Sequence, residues 1–372
     1  MTASLFQPLA IGGLPLSHRV IMAPLTRMRA TVPGNVANEM NAEYYGQRAS
    51  KGGLIIAEAS QVSDDGRGAP CTPGIHTPAQ VAGWKLVTDA IHARGGKVFL
   101  QLWHMGRLSV PAYQPDGGLP IAPSAVAANV EVTTPDFKRV PAPTPRALET
   151  AEIPVLVEKY VHAARCARQA GFDGVEIHSA NGYLLEQFLQ SRTNRRTDAY
   201  GGPVENRCRL VLEITQAIAG VWGADKVGIR LSPFGIANDS GEDDPMPLYS
   251  HLIRELDKLG LAYLHLIEPR ASGAGQREVD RQDVPSAAQL FRKLWHGVLI
   301  AAGNFKGDSA EAMVKAGDAD AIAFGRFFIS NPDLPERLRL GAALTPYNRA
   351  TFYSRGPVGY TDYPAMGAAA AD

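Results

Sequence analysis

Residues 298–325 read VLIAAGNFKGDSAEAMVKAGDADAIAFG. Two short apolar runs, VLIAAG and AIAFG, flank a stretch whose apolar residues recur at the spacing of one helix face. Short runs that are continuously apolar are typical of parallel strands buried on both faces. The segment therefore predicts a strand–helix–strand unit. It is the last part of a strand–helix pattern that begins near the N-terminus.

Six further apolar runs precede this unit: VIMAPL from Val20, LIIAEA from Leu54, VFLQLW from Val98, GVEIHS from Gly174, VGIRLS from Val227 and AYLHLI from Ala262. Amphipathic stretches begin at Ala79, Ile153 and Val204, and each ends in glycine, a common stop for a helix. Eight strand–helix repeats favour an α/β fold, a closed (β/α)8 TIM barrel, over an open sheet. No change in composition marks a second domain, so we expect residues 1–372 to form one.

Composition excludes several classes of partner. The 372 residues include 37 Lys plus Arg and 37 Asp plus Glu, a balance that gives no indication of nucleic acid or an anionic membrane surface. Cys71, Cys166 and Cys208 are too far apart for a Cys-x-x-Cys metal motif, and we expect reduced thiols and no metal. The sequence shows neither a signal peptide nor an apolar run long enough to span a membrane. These features predict a cytoplasmic protein, and they leave open whether it is a monomer or a homodimer.

One long connection follows the third predicted strand. Residues 107–145 are rich in Pro, Gly, Ala and Thr and contain no long periodic segment. A connection of this length is usually functional or disordered, and we expect a lid over the barrel mouth. At the other end of the chain, we expect residues 365–372 to be a disordered tail.

Active sites of such barrels lie at the carboxyl ends of the strands. Polar side chains follow the predicted strands around the whole ring, at Thr26, Glu58, Gln101, His178, Arg230, Asn304 and Arg326. One such residue would mean little, but the set predicts one large polar ligand across the mouth.

The last two strand ends indicate an anionic group on that ligand. Gly303 and Gly325 let backbone N–H groups approach a phosphate, and Arg326 adds a fixed charge. Taken alone, each glycine could equally serve a tight turn. No Gly-x-Gly-x-x-Gly follows a strand and no P-loop motif is present, so neither a Rossmann fold nor a P-loop holds the phosphate.

The fourth strand continues into GVEIHSANGYLLEQFLQSRTNRRTDAYGGPVENR from Gly174. His178 and Asn181 are three residues apart, and a helical turn after the strand would point both the same way. Both can donate a hydrogen bond to one oxygen atom, and Tyr183 can supply a proton beside it. This trio suits a carbonyl or nitro oxygen that gains negative charge while a neighbouring carbon is protonated. An isolated His-x-x-Asn is also compatible with a core histidine and a turn asparagine.

Seven motifs in order resemble the old yellow enzyme family: MAPLTR, EYYGQRAS, QLWHMGR, HSANGYLLEQFL, TDAYGGPVENR, AFGR and GYTDYP. The resemblance runs from Leu5 to Pro364. It implies FMN held on a TIM barrel, NADPH or NADH as hydride donor, and reduction of activated carbon–carbon double bonds. The implied substrates are small electrophilic alkenes such as enones, enals, maleimides and nitroalkenes, with nitrate esters as a further class.

The resemblance also implies roles for individual residues. Thr26 matches the residue at flavin O4, Gln101 the one at the pyrimidine edge, and Arg230 the cation beside N1. His178 and Asn181 match the pair that holds the substrate oxygen, and Tyr183 matches the proton donor. Two aromatic residues match walls of the substrate pocket, Trp103 and Tyr353. The implied FMN contacts are Ala23, Pro24, Leu25, Thr26, Ala59, Gln101, His178, Arg230, Ala302, Gly303, Asn304, Gly325 and Arg326.

Some positions depart from the family pattern. Many members have a second histidine at Asn181, and some have a tyrosine at Ala69, which leaves the natural substrate open. Arg139 and Arg270 could each reach a nicotinamide phosphate or simply be solvated. Three other classes compete. A dienoyl-CoA-reductase-like protein would need a cysteine cluster, and a Schiff-base aldolase would need a strand-end lysine. The third, a flavin carrier without turnover, would not need the trio His178, Asn181 and Tyr183.

Overall fold

The computed structural model describes residues 4–269 and 284–367, and within them eight parallel strands close into a barrel. The strands are β1 (Val20–Met22), β2 (Leu54–Gln61), β3 (Lys97–Trp103), β4 (Gly174–Ser179), β5 (Val227–Leu231), β6 (Tyr263–Ile267), β7 (Leu299–Ala302) and β8 (Ala321–Phe324). Each pairs with the next along the chain, and β8 pairs with β1. The structure confirms the predicted (β/α)8 barrel and all eight strands. The first strand is three residues shorter than the apolar run that predicted it.

Ten α-helices lie in the described residues, mostly between successive strands. They are α1 (Glu39–Arg48), α2 (Pro78–His92), α3 (Ile153–Gln169), α4 (Leu184–Leu189), α5 (Val204–Trp222), α6 (Pro245–Asp257), α7 (Ala287–Phe291), α8 (Gly307–Lys315), α9 (Arg326–Ser330) and α10 (Leu334–Leu340). The four amphipathic stretches predicted as helices appear as α2, α3, α5 and α8. Their apolar faces pack on the outside of the strands in the main hydrophobic core.

The barrel interior changes from apolar to polar along its axis. At the amino ends of the strands, Ile21, Phe99 and Tyr263 pack together with the hairpin strands Leu9–Ile11 and Leu14–Leu16, which close the bottom. One layer higher the interior is polar: the side chains of Gln101, Glu176 and His265 contact one another there. The mouth lies above this layer, at the carboxyl ends.

The connection at residues 107–145 contains only short elements, as its sequence suggests. They include the antiparallel strands Glu131–Thr133 and Arg139–Pro141, which form a hairpin. Arg107 secures the connection by donating to the carbonyls of Val126 (3.3 Å) and Ala127 (3.1 Å). Residues 131–139 border a cavity at the mouth, which is where the predicted lid would act.

Residues 368–372 of the predicted tail, and Arg270, lie outside the described residues. Within the described ranges, no helix is both long and apolar enough to cross a bilayer. In the same ranges, no group of three or more His, Cys, Asp or Glu side chains is arranged to hold a metal ion.

Candidate active site at the barrel mouth

Two adjoining cavities open at the carboxyl ends of the strands. The first has about 910 Å³ of empty space, counting the part open to solvent. Most of the predicted FMN contacts line it: Ala23, Pro24, Leu25, Thr26, Arg230, Ala302, Gly303, Asn304, Gly325 and Arg326. The structure therefore brings together residues that are up to 303 positions apart in the sequence.

Three predicted FMN contacts do not line this cavity. Ala59, Gln101 and His178 are all buried. The Gln101 amide donates to Glu176 Oε1 at 2.7 Å. The His178 ring instead lies against Tyr183, with ring centroids 4.9 Å apart. Contact of these three with a flavin stays a prediction.

One end of the first cavity is suited to a phosphate. Gly303 has φ +133°, and a Cβ there would lie 3.0 Å from the Glu268 Cβ, so only glycine fits. Asn304 follows in the left-handed region, with φ 55°, and its Oδ1 accepts from Arg326 Nη2 at 3.1 Å. Backbone without side chains beside an oriented guanidinium is the arrangement that binds phosphate oxygens.

The wall of the first cavity also carries a second cation. Arg230 is half-buried, and burial lowers the pKa of its guanidinium, an effect that Glu176 opposes. Its Nε atom is buried and has no hydrogen-bond partner among the described residues. Because buried donors are normally satisfied, an unused one in a cavity indicates a polar ligand. Two separate cations on the wall, Arg230 on β5 and Arg326 after β8, fit FMN, which has a phosphate at one end and a carbonyl-rich ring at the other.

Sequence reasoning missed the aromatic walls of the first cavity. These are Phe305, Phe324, Phe327 and Phe352. The first three are immediate chain neighbours of predicted contacts, so their positions beside Asn304, Gly325 and Arg326 were the available signal.

The second cavity has about 1360 Å³ of empty space, counting the part open to solvent, and four predicted substrate residues line it: Trp103, Asn181, Tyr183 and Tyr353. The fifth, His178, lines neither cavity and is buried against the Tyr183 ring. Thr26, Asn181 and Tyr353 line both cavities, so the two meet at these side chains. Much of the remaining wall is apolar or small, from Met28, Gly68, Ala69, Met105, Leu108, Val132, Phe137 and Ala237.

The turn after β4 differs from the expected helical turn. Asn181 (φ 57°) and Gly182 (φ 78°) are left-handed, and α4 begins only at Leu184. Helical spacing therefore does not align His178 with Asn181, and that expectation was wrong. Hydrogen bonds fix the turn instead: Asn181 N donates to Ser232 Oγ, and Asn238 Nδ2 donates to the Asn181 carbonyl, both at 2.9 Å.

The electrostatics of the trio suit hydrogen-bond donation. Burial, together with the nearby Arg230 and His265, holds the pKa of His178 well below its usual value, so the ring is neutral near pH 7. His178 Nδ1 and Trp103 Nε1 are buried without partners in the part of the chain that the structure describes. Burial also raises the pKa of the Tyr183 phenol, which therefore keeps its proton for transfer.

Tyr353 reaches the site from near the C-terminus through two buried arginines. Arg27 Nε donates to the Phe352 carbonyl at 3.0 Å, and Arg27 Nη2 donates to the Gly359 carbonyl at 2.7 Å. Arg29 makes further bonds to the same segment, including one to the Thr351 carbonyl at 3.1 Å. These bonds hold Tyr353 where the two cavities meet.

Sequence comparison finds relatives along almost the whole chain. Putative 12-oxophytodienoate reductase 11 of Oryza sativa subsp. japonica is 46% identical over 366 residues, which is 98% of each protein. 12-Oxophytodienoate reductase 2 of Arabidopsis thaliana is 43% identical, over 97% of this chain and 96% of that protein.

Solved structures agree with the sequence relatives. Morphinone reductase in complex with tetrahydroNAD is 50% identical, covers 97% of both chains and superposes with a TM-score of 0.90. The old yellow enzyme homologue from Zymomonas mobilis is 42% identical with a TM-score of 0.91, over 97% of this chain and 99% of that one.

A family model described as the NADH:flavin oxidoreductase / NADH oxidase family matches residues 4–345. The match includes every predicted site residue except Tyr353, and every residue that lines the two cavities except Phe352 and Tyr353. These findings confirm the expected enzyme class and its flavin cofactor, FMN. The chain belongs to the NADH:flavin oxidoreductase / NADH oxidase family, within which it is similar to old yellow enzyme homologues.

Proposed function

We propose that this protein reduces activated carbon–carbon double bonds of small electrophilic alkenes, with NADH or NADPH as the hydride donor. The observation that carries the proposal is the pair of adjoining cavities. The first is lined by two cations that suit FMN, Arg230 and Arg326, and the second is lined by the Asn181 amide and the Tyr183 phenol, with His178 buried against that phenol. Its similarity to morphinone and 12-oxophytodienoate reductases supports the same chemistry.

Residues of the first cavity would hold the cofactor. Gly303, Gly325 and Arg326 would bind the FMN phosphate, while Thr26 and Arg230 would lie along the ring. When bound, FMN would supply reversible hydride chemistry between the nicotinamide and the alkene. Arg230 favours the reduced form, because a nearby cation stabilises added negative charge.

Residues that line or adjoin the second cavity would prepare the alkene: Asn181 and Tyr183 line it, and His178 lies against Tyr183. His178 and Asn181 would donate hydrogen bonds to its carbonyl or nitro oxygen, which draws electron density away and makes the β-carbon electrophilic. Tyr183 would supply a proton to the α-carbon from its phenol. The sum is balanced: nicotinamide hydride plus one proton saturates one double bond and leaves oxidised nicotinamide.

The connection between the two cavities indicates how the nicotinamide and the alkene share the site. Both must approach the same cofactor through the second cavity, since Thr26, Asn181 and Tyr353 are common to both cavities. We infer that they bind in turn, one after the other. The hairpin at residues 131–141 would act as the lid that excludes water from that cavity.

Identification of the released cofactor tests the proposal. We expect the purified protein to be yellow and to release FMN on denaturation, because Gly303, Gly325 and Arg326 give the first cavity a site for one phosphate. The bound flavin should bleach with NADH or NADPH without oxygen and recolour when 2-cyclohexenone is added. Chromatography that shows FAD, or no flavin even after reconstitution, would refute the cofactor assignment.

A further inference from the structure

A carboxylate lies inside the barrel, one layer below the mouth, and the steps above do not use it. Glu176 on β4 is fully buried. It accepts a hydrogen bond from Gln101 Nε2 at Oε1 (2.7 Å) and one from His265 Nδ1 at Oε2 (2.8 Å). Strands β4 and β6 are not neighbours, so the bond to His265 crosses the barrel interior. A buried charge is costly unless it is paired and hydrogen-bonded, and this one is held from two sides.

Arg230 is the cation that faces this carboxylate. It lies on β5, between the strands that carry Glu176 and His265, and its backbone is in register with His178 and His265. No ion pair within 4.0 Å joins Arg230 to Glu176 in the part of the chain described here. The guanidinium is therefore available to a ligand in the first cavity. The Glu176 carboxylate acts on it as a more distant counter-charge.

The carboxylate also fixes which end of the Gln101 amide faces the mouth. An ionised carboxylate only accepts hydrogen bonds, so the amide must turn its NH2 group toward Glu176. Burial would raise the pKa of Glu176, but His265 and Arg230 outweigh burial and hold it below its usual value, so the group is ionised. The Gln101 oxygen is then directed away from Glu176, where it can accept a hydrogen bond.

We propose that Glu176 is a positioning residue of the flavin site. It fixes the Gln101 amide with its oxygen available to the cofactor, and its charge offsets that of Arg230. Because the negative charge of Glu176 offsets the positive charge of Arg230, it disfavours extra negative charge in the cavity. Glu176 therefore makes bound FMN harder to reduce. This inference rests on the proposed function, because it assumes that FMN occupies the first cavity.

Two variants separate the effect of the charge of Glu176 from the effect of its side-chain length. Glu176→Gln keeps the shape and removes the charge, whereas Glu176→Asp keeps the charge and withdraws it from Gln101 and His265. The readout is the midpoint potential of bound FMN. This potential reports the ratio of the protein's affinity for reduced FMN to its affinity for oxidised FMN. For Glu176→Gln we expect that ratio to rise roughly tenfold, since one charge is lost from a buried layer. For Glu176→Asp we expect little change in the ratio but weaker binding of oxidised FMN.

A native-protein measurement tests the amide orientation without any variant. In holoenzyme carrying 15N-labelled FMN, the N3–H proton should exchange with solvent at least about tenfold more slowly than in free FMN, because Gln101 offers it an oxygen. Gln101→Met should remove that protection. Unprotected N3–H in the native protein would overturn the orientation, even if Glu176→Gln failed to fold.

The outcomes also separate this inference from the proposed function. If the native protein binds no FMN, the proposed function itself fails. If the native protein binds FMN and Glu176→Gln, folded by circular dichroism, keeps the native midpoint potential, the counter-charge role of Glu176 is wrong. If Glu176→Asp binds oxidised FMN as tightly as the native protein does, its positioning role is wrong.

Discussion

Tyr183→Phe is expected to slow alkene reduction by roughly 10²- to 10⁴-fold, the usual contribution of a general acid. Reduction of the flavin by the nicotinamide needs no proton from Tyr183, so this step should remain close to the native rate. Burial keeps the phenol protonated, and its ring lies beside His178 in the second cavity. Stopped-flow absorbance of the flavin measures the two steps separately.

A second phenol in the same cavity provides the matched control. Tyr353 also lines the second cavity, but the resemblance to the old yellow enzyme family makes it a wall rather than a proton donor. Tyr353→Phe should therefore slow alkene reduction far less than Tyr183→Phe does. Equal losses in the two variants, or a Tyr183→Phe protein that loses the nicotinamide step instead, would show that Tyr183 is not the proton donor.

Arg326→Ala is expected to weaken FMN binding by roughly 10- to 100-fold, which corresponds to about 1.5–3 kcal/mol for a charge-assisted hydrogen bond. The side chain borders the glycine-lined end of the first cavity and is oriented there by Asn304. Titration of the apoprotein with FMN, followed by the quenching of flavin fluorescence, measures the change. Arg326→Lys should recover part of the affinity, because lysine keeps the charge but not the planar fork.

Arg349 offers a control for the loss of an arginine in this region. Arg326 and Arg349 both lie over the Tyr347 ring, at 5.6 and 5.4 Å from its centroid, but only Arg326 lines the cavity. Arg349→Ala should bind FMN with nearly native affinity. If the two variants lose the same affinity while the apoproteins unfold at the native temperature, the phosphate is not held by Arg326.

The barrel was predictable because its strands are buried on both faces. A strand such as Leu299–Ala302 is apolar at every position, and that signal does not depend on distant residues. Barrel geometry then places every strand end at one mouth, so the polar residues after the strands could be assigned to one site. Thr26, Arg230 and Arg326 were found in this way, although 300 positions separate the first from the last.

Features that depend on long-range hydrogen bonds were less predictable. The left-handed turn at Asn181 is fixed by Ser232 and Asn238, and local spacing instead suggested a helical turn. Tyr353 is held by a bond from Arg27 to the Phe352 carbonyl, a contact that only the folded chain creates. The place of Tyr353 in the substrate pocket was predicted from the motif resemblance, and the strand pattern gave no indication of it.

Glu176 and His265 illustrate a different limit. Both lie between apolar neighbours in their strands, and each could have been an outward-facing residue at a helix contact. Only closure of the barrel shows that they face each other across its interior. Alternation along one strand does not reveal which residue of a distant strand lies opposite.

The origin of the two hydrogens added to an enone tests the proposed function most directly. With nicotinamide deuterated at the transferred position in ordinary water, the account predicts deuterium only at the β-carbon of the product. With ordinary nicotinamide in D2O, it predicts deuterium only at the α-carbon, because the proton comes from Tyr183 in exchange with solvent. Solvent deuterium at the β-carbon, or nicotinamide deuterium at the α-carbon, would contradict it.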